Sequence, residues 1–458
     1  MLTYQDFLEA GADIVGFVAK AISAYQSSSF YACAEEADQY NKQQNVTINN
    51  YVRTILSLSG APIEDFTASN NKIASNFFHR LNTQRCTYSL GGGVSFAETD
   101  VKEQTLGKDF DTQIWDIGYN ALIHGVCFGF WNINKLYIFK ATEFVPLWDE
   151  EDGTLKAGIR FWRLDKDKPM TAILYEVDGY TKLKTKPNSS NLTFFISEPK
   201  KAYITKIAYT EAGDEEVIGM ENYSALPIIP MWGSKLHQST LVGMKQAIDS
   251  YDLIRSGFAN DLTDCSQIYW IIENCGGMSD ADLARFRDKL KITHIAEVDG
   301  DAGAKATPYT QDIPFAARQA YLDSIRAGIY EDFGGLDVHT IAAGATNDHI
   351  DAAYQPLDEN ADDFEYNVTE FILQLLNLIG VEDYPIYKRN RISNQMEQTQ
   401  MVLSAAQYLD TETVLSKLPF ITIDEIKEIM KRTETEEYNN YESEVTNDED
   451  TGEVGEGY

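Results

Sequence analysis

Cysteine is scarce in this chain. Cys33, Cys86, Cys127, Cys265 and Cys275 are odd in number and scattered, with no CxxC pair. That excludes a disulfide framework or a thiolate zinc site and points to reduced thiols in an intracellular setting. Long apolar runs are also missing. None approaches the roughly 18 residues of a membrane-spanning helix, so no membrane partner is expected. The opening MLTYQDFLEAG has neither a basic stretch nor an apolar one, and no signal peptide is expected. Triplets such as Asn188-Ser189-Ser190 then carry no glycosylation meaning. Positive charge is in deficit, with 38 Lys and Arg against 71 Asp and Glu, a net charge of −33. Such a chain does not capture free DNA or an anionic membrane through net charge. Solubility is the ordinary meaning of an acidic surface.

Catalytic signatures are missing as well. Gly91-Gly92-Gly93 is not followed by Lys-Ser/Thr, and Gly233-Ser234-Lys235 lacks the upstream glycine. Phosphate cradling needs both the loop and the lysine, so both sites read as turns. Glu425-Ile426-Lys427 matches the Glu-x-Lys of metal-dependent nucleases. Its surroundings have helical periodicity, which splays positions i and i+2 by about 200°. Asp149-Glu150-Glu151-Asp152 precedes Gly153 between two strand-like runs and reads as a solvated hairpin tip rather than an acid/base pair. Asp299-Gly300-Asp301 lacks the further ligands of a calcium loop. His339, His349 and Asp351 match no standard metal spacing, and polar-loop histidines are more often simply solvated. No catalytic residue, metal site or cofactor is assigned.

What is present is length, apolar content and order. The 458 residues suggest roughly three domains, and 43% hydrophobic residues with 26 Tyr and 22 Phe can fill a core. Helical stripes cover Asp13–Tyr25, Asn71–Tyr88 and Phe110–His124. From Gly125 to Trp232, β-branched and aromatic runs alternate with turn residues, as in an antiparallel sheet. Ser239–Asp264 then carries Leu241, Met244, Ile248, Tyr251, Phe258 and Leu262 at helical steps. Ile313–Phe333 carries Phe315, Leu322, Ile325, Ile329 and Phe333, opens on Pro314 and stops at Gly334-Gly335. These helices would be roughly 39 and 31 Å long. Between them, Ser266–Gln311 reads as an αβ module: strand Ile268–Ile272, helix Ser279–Leu290 and strand Thr293–Val298. A small-residue loop follows, then a helix from about Asp358 to Asn377 and further helices in Ser393–Leu409 and Thr411–Arg432. From Thr433 to Tyr458 the composition is that of an acidic disordered tail. The fold class is α+β.

The order of these parts resembles the portal proteins of tailed bacteriophages, in the SPP1-like siphovirus group. The residues that carry the likeness are Ile228-Ile229-Pro230, the long helix through Ile248-Asp249-Ser250-Tyr251-Asp252, the insertion ending Val298-Asp299-Gly300-Asp301, and the helix from Ile313-Pro314 to Asp332-Phe333. Asn71 through Phe78 and Ala157 through Phe161 belong to the same set. The resemblance implies a ring homo-oligomer, usually a dodecamer, at one capsid vertex in the virion. It implies a wing over residues 1–238, stem helices over 239–265 and 312–334, and a clip over 266–311. It also implies a tunnel loop over 335–357, a wing-to-crown helix over 358–389 and a crown over 390–432. His339, Thr340, Thr346, Asn347 and His349 would then face double-stranded DNA, without sequence preference. The implied partners are the major capsid protein, the terminase large subunit, a head-completion or adaptor protein and scaffolding protein. The competing readings are a metal-dependent nuclease or hydrolase using the acidic clusters, and another ring component of the head-tail connector.

Overall fold

The structure is a computed structural model. It describes residues 1–57, 60–66, 68–97, 105–187, 192–209, 215–265, 269–273, 279, 281–282, 285, 305–309, 314–340, 346–389, 395–418 and 429–432. The chain divides into two compact units. One comprises Met1–Gly335 with Glu359–Arg389, the other Leu336–Asp358 with Asn390–Tyr458.

The first unit is α+β. Its strands in chain order are β1 (Thr54–Leu56), β2 (Pro62–Glu64), β3 (Val94–Phe96), β4 (Val126–Asn132), β5 (Lys135–Lys140), β6 (Phe144–Trp148), β7 (Leu155–Trp162), β8 (Thr171–Glu176), β9 (Gly179–Thr185), β10 (Phe194–Lys201), β11 (Ile204–Tyr209), β12 (Glu215–Glu221), β13 (Ile228–Trp232), β14 (Tyr269–Glu273), β15 (Lys305–Tyr309) and β16 (Pro385–Tyr387). A five-stranded antiparallel sheet runs β10-β9-β8-β7-β6, and a three-stranded one runs β13-β4-β5. The remaining strands pair in twos: β1 with β2, β11 with β12, β14 with β15 and β16 with β3.

Alternation explains the large sheet. In β9, Thr181, Leu183 and Thr185 point inward, while Tyr180, Lys182 and Lys184 are only half-buried. Two of its three inward residues are threonines, so it lacks the apolar signal of a strand and sequence reading passes over it. Helices Tyr4–Ala10 and Ile14–Gln26 cover the sheet's inner face, with Phe17, Val18 and Ile22 against Val145, Leu147, Ile159 and Leu174. An aromatic layer joins the two sheets, including Phe128, Phe139, Phe144 and Tyr175. The largest core lies between helices Phe77–Leu90 and Phe110–His124, the three-stranded sheet and Phe364–Leu376 of a later helix. Glycine is required there. A methyl group on Gly129 would sit 2.6 Å from the Phe371 ring, so the helix packs onto bare backbone.

Three long helices follow or frame this core: Leu241–Cys265, Phe315–Phe333 and Asn347–Ile379. The first two match the predicted pair to within two residues. The third differs. The sequence reading starts it at about Asp358, whereas the chain is helical from Asn347 and passes through Pro356. Ile350, Tyr354, Leu357, Ala361 and Phe364 are all buried, so the apolar stripe crosses the proline. Burial of that stripe outweighs the hydrogen bond that proline cannot donate.

Other expectations also shift. The helix expected over Asn71–Tyr88 begins at Phe77, and residues 71–76 have no regular structure. In the insertion, β14 pairs with β15, a strand the sequence reading missed because Pro308 lies inside it. The expected strand Thr293–Val298 lies outside the described residues. Of the expected helix at Ser279, Ala281, Asp282 and Arg285 are helical, and the Ser279 backbone N–H donates to Asp282 Oδ2 at 3.0 Å. In the second unit, Gln395–Ala405 and Thr411–Lys417 are helical. The acidic tail and Glu425-Ile426-Lys427 lie outside the described residues.

Candidate channel wall and loop

The first two long helices are antiparallel, and one end of the pair is rooted in the main core. Leu241, Met244 and Ile248 at the start of the first are buried with Ile329, Tyr330 and Phe333 at the end of the second. Phe77 wedges between them, edge-on to Tyr251 at 5.0 Å and to Tyr330 at 6.1 Å. Edge-to-face contact sets the positive rim of one ring against the negative face of the next. At the far end, Phe258 meets Phe315 at 5.3 Å and Arg318 pairs with Asp261. Helices of 25 and 19 residues are roughly 38 and 29 Å long.

A second device holds the first helix. Asp252, Ser256 and Asn260 lie one helical turn apart on one face. The Ser75 N–H donates to Asp252 Oδ1 at 2.9 Å, Ile73 N–H to Ser256 Oγ at 3.0 Å and Asn71 N–H to Asn260 Oδ1 at 2.6 Å. Four helical residues rise about 6.0 Å and two extended residues span about 6.7 Å, so alternate amides of a straight chain meet every fourth side chain. The chain 71–76 is therefore a belt laid antiparallel along the helix. Asn45 Nδ2 donates to the other Asp252 oxygen and to the Ser75 carbonyl. One turn earlier, Tyr40 and Thr47 both donate to Asp249. Burial raises the Asp252 carboxyl above its usual range, against the hydrogen bonds from Asn45 and Ser75 that lower it. Sequence reading counted Asp252 among the resemblance residues without a role. Asp252, Ser256 and Asn260, short polar residues at every fourth position of the helix, are the signal that could have found the belt.

The second helix ends in a glycine cap. Gly334 has φ 62°, and the Gly335 N–H donates to the Tyr330 carbonyl at 2.8 Å. Gly335 has no room for a side chain, since a methyl group there would lie 2.5 Å from Leu81 Cδ2. Asn360 Nδ2 donates to the Phe333 carbonyl at 2.8 Å, and the Arg85 guanidinium donates to the Asn360 carbonyl at 2.8 and 3.2 Å. Burial brings Arg85 down to about 10, while Asp363, 3.5 Å away, opposes the fall. These residues fix where the chain leaves the second helix. The sequence reading assigned Arg85 and Asn360 no role.

The five loop residues fall at the ends of two described elements. His339 and Thr340 lie in the 3-10 turn Val338–Thr340; His339 is exposed and its N–H donates to Asp337 Oδ1 at 3.2 Å. Residues 341–345 are outside the described set. Thr346 is exposed and caps the third long helix, its carbonyl accepting from the His349 and Ile350 amides at 3.1 Å. Its Oγ1 lies 3.4 Å from His349 Nδ1. Asn347 and His349 thus belong to a helix start rather than to a loop. Among the described residues no three His, Cys, Asp or Glu side chains converge as metal ligands, and no helix is long and apolar enough to cross a membrane. The Asp149–Asp152 cluster is the tip of the β6–β7 hairpin, closed by Asp149 N–H to the Thr154 carbonyl at 2.9 Å. Hydrogen bonds from Thr154 bring Asp152 down to about 2, the opposite of what a general acid needs.

Charge is arranged unevenly. Asn347–Ile379 carries eight Asp and Glu and neither Lys nor Arg. Part of this is compensated, since Arg389 bonds both Asp362 and Glu365. An acidic helix of this kind repels phosphate.

The family described as "Phage portal protein, SPP1 Gp6-like" matches residues 25–438. The portal protein of Clostridium phage phiCD119 is 24% identical over 396 residues, covering 79% of this chain and 84% of that protein. The portal protein of Bacillus phage SPP1 is 23% identical over 431 residues, covering 85% and 80%. The match spans the paired long helices, the insertion between them and the sheets that root them, and the chain belongs to the SPP1-like family of phage portal proteins, non-enzymatic virion conduits for DNA.

Proposed function

We propose that copies of this chain close into a ring, a dodecamer, at one capsid vertex, with Leu241–Cys265 and Phe315–Phe333 forming the channel wall. The observation that carries this reading is the helix pair itself. It is fixed by an aromatic core at one end and carries the 266–311 insertion at the other. A wall needs stiffness along the channel, and two antiparallel helices with a belt supply it. The insertion serves as the clip, a docking platform for the terminase large subunit and then for a head-completion or adaptor protein. Residues 1–238 with 358–389 form the wing against the major capsid protein and scaffolding protein, and 390–432 the crown. The segment 335–346, ending at the start of the third helix, faces the DNA through small residues, with His339, Thr340, Thr346, Asn347 and His349 at its two ends. Small polar groups touch the backbone weakly and without reading sequence, and carboxylates nearby keep phosphate from sticking. Particle images of the purified protein are expected to show rings with a central hole, and counting their symmetry tests the subunit number. A monomer that cleaves DNA with magnesium would overturn the reading. Deleting residues 337–345 is expected to abolish packaging while leaving rings intact, and unimpaired packaging would refute the loop's role.

A further inference from the structure

The hairpin β1–β2 presents apolar side chains on both faces. Its register pairs Ile55 with Ile63 and Leu56 with Pro62, and the Asp65 N–H donates to the Arg53 carbonyl, which continues the pairing one step further. Alternation then puts Ile55 and Ile63 on one face, and Val52, Leu56 and Phe66 on the other. All five are exposed, Leu56 at 76% and Phe66 at 86%. An isolated two-stranded ribbon is marginal in water, and the Val52, Leu56 and Phe66 face of this one exposes roughly 350 Å² of apolar side chain, within the range of the largest patch on a monomer. A surface like this needs a cover.

The base of the hairpin is fixed in space. Arg53 donates to the Ser69 carbonyl at 2.7 Å, and Asn71 begins the belt at Asn260 and Thr263. The hairpin therefore leaves the molecule level with the last turns of the first long helix. At that level lies a second uncovered patch. Leu262 and Phe315 are both more than half exposed, and exposed Arg255 lies two turns before Leu262 on the same side of the helix. Rotation about a ring axis carries each copy to the next without changing its height. Two different patches at one height on a subunit can therefore meet between neighbours, as a head-to-tail ring contact requires.

We propose that the β1–β2 hairpin of each subunit docks onto the Leu262–Phe315 patch of the next copy and closes the ring at this level. The area suits the role. The Leu56–Phe66 face and the helix patch together offer roughly 550 Å² of apolar surface, about what an interface of 1,000 Å² in total draws from apolar atoms. Charge agrees with it. Glu64 shares the hairpin face of Leu56 and Phe66, and Arg255 shares the helix face of Leu262, so the acid of one copy meets the base of the next. The proposal rests on the ring reading above.

Sedimentation and native mass spectrometry of the full chain separate the two. Wild-type protein is expected to form rings, and a monomeric wild type would remove the ring reading and this contact together. The double variant Leu56→Asp/Phe66→Asp is expected to raise the concentration for half-assembly at least tenfold, with an unchanged circular dichroism spectrum. Glu64→Arg is expected to weaken assembly, and adding Arg255→Glu to restore it. Leu56→Cys combined with Leu262→Cys is expected to give a ladder of covalent multimers on oxidation. Wild-type rings together with full assembly of the double Asp variant, or with no ladder, would overturn the hairpin contact while leaving the ring intact.

Discussion

The belt along the first long helix makes a graded prediction. Its three hydrogen bonds run from buried to exposed: Ser75 is buried, Ile73 half-buried and Asn71 exposed. An amide that loses its partner inside the protein forfeits about 1–3 kcal/mol, whereas one that water can reach loses about 0.5–1.5 kcal/mol or less. Asp252→Ala strips the partner from the Ser75 amide and from one hydrogen of Asn45, two donors in a dry place. A cost of about 3 kcal/mol is expected, after allowing for the carboxylate's own burial penalty. Ser256→Ala leaves only the Ile73 amide and is expected to cost about 1 kcal/mol, and Asn260→Ala less. Urea unfolding gives the three stabilities. Amide hydrogen exchange gives the sharper test, because each variant should accelerate exchange at one belt amide: residue 75, 73 or 71 in turn. Equal costs for the three variants, or acceleration spread evenly over residues 71–75, would refute the belt as a series of separate hydrogen bonds.

Much of this fold could be read in the sequence, and the failures share a cause. The first two long helices were legible because Leu241, Met244, Ile248 and Ile329, Phe333 bury at helical spacing in an aromatic core. Strand β9 was not, because its inward residues are mostly Thr and its outward ones Lys. The third helix was cut short at Asp358 because Pro356 and the polar residues around it hid the spacing of Ile350, Tyr354 and Leu357. Residues 71–76 looked helical because Ile73 continues the spacing of Phe77 and Leu81, whereas their real partner is a helix face 177 to 189 residues away. Tertiary partners of this kind leave no local period. His339 and His349 are exposed and belong to different elements, and the helix start at Asn347 was marked only by Thr346 as a cap and Asp348 in the first turn, a short signal beside the run of small residues before it.

Gly335→Ala forces a methyl group into Leu81 and is expected to cost about 1–3 kcal/mol in thermal unfolding, and Gly334→Ala is expected to cost at least the left-handed backbone penalty of about 1 kcal/mol. Arg85→Met removes both bonds to the Asn360 carbonyl and leaves Asp363 without its guanidinium. A loss of about 2–3 kcal/mol is expected, and one below 0.5 kcal/mol would show that the cap holds without it. For pH, the folded Asp252 carboxyl lies above its unfolded value. Its contribution is complete below the ordinary carboxylate range and is lost as pH rises through the raised value, so Asp252→Ala should cost more at pH 4 than at pH 8 in urea titrations. Pro356 tests the third helix. A proline in a helix interior costs about 3 kcal/mol relative to Ala, through the missing hydrogen bond and its clash with the preceding turn. Its side chain is exposed, so replacement removes no core packing. If the helix runs unbroken from Asn347 to Ile379, Pro356→Ala should stabilise the protein by about 1–3 kcal/mol and slow amide exchange on both sides of position 356. If the helix started at Asp358 instead, the proline would lie outside it. The replacement would then relax the unfolded chain and lower stability slightly. The sign of that one measurement decides where the helix begins, and with it whether Asn347 and His349 sit on a fixed helix or in a free loop.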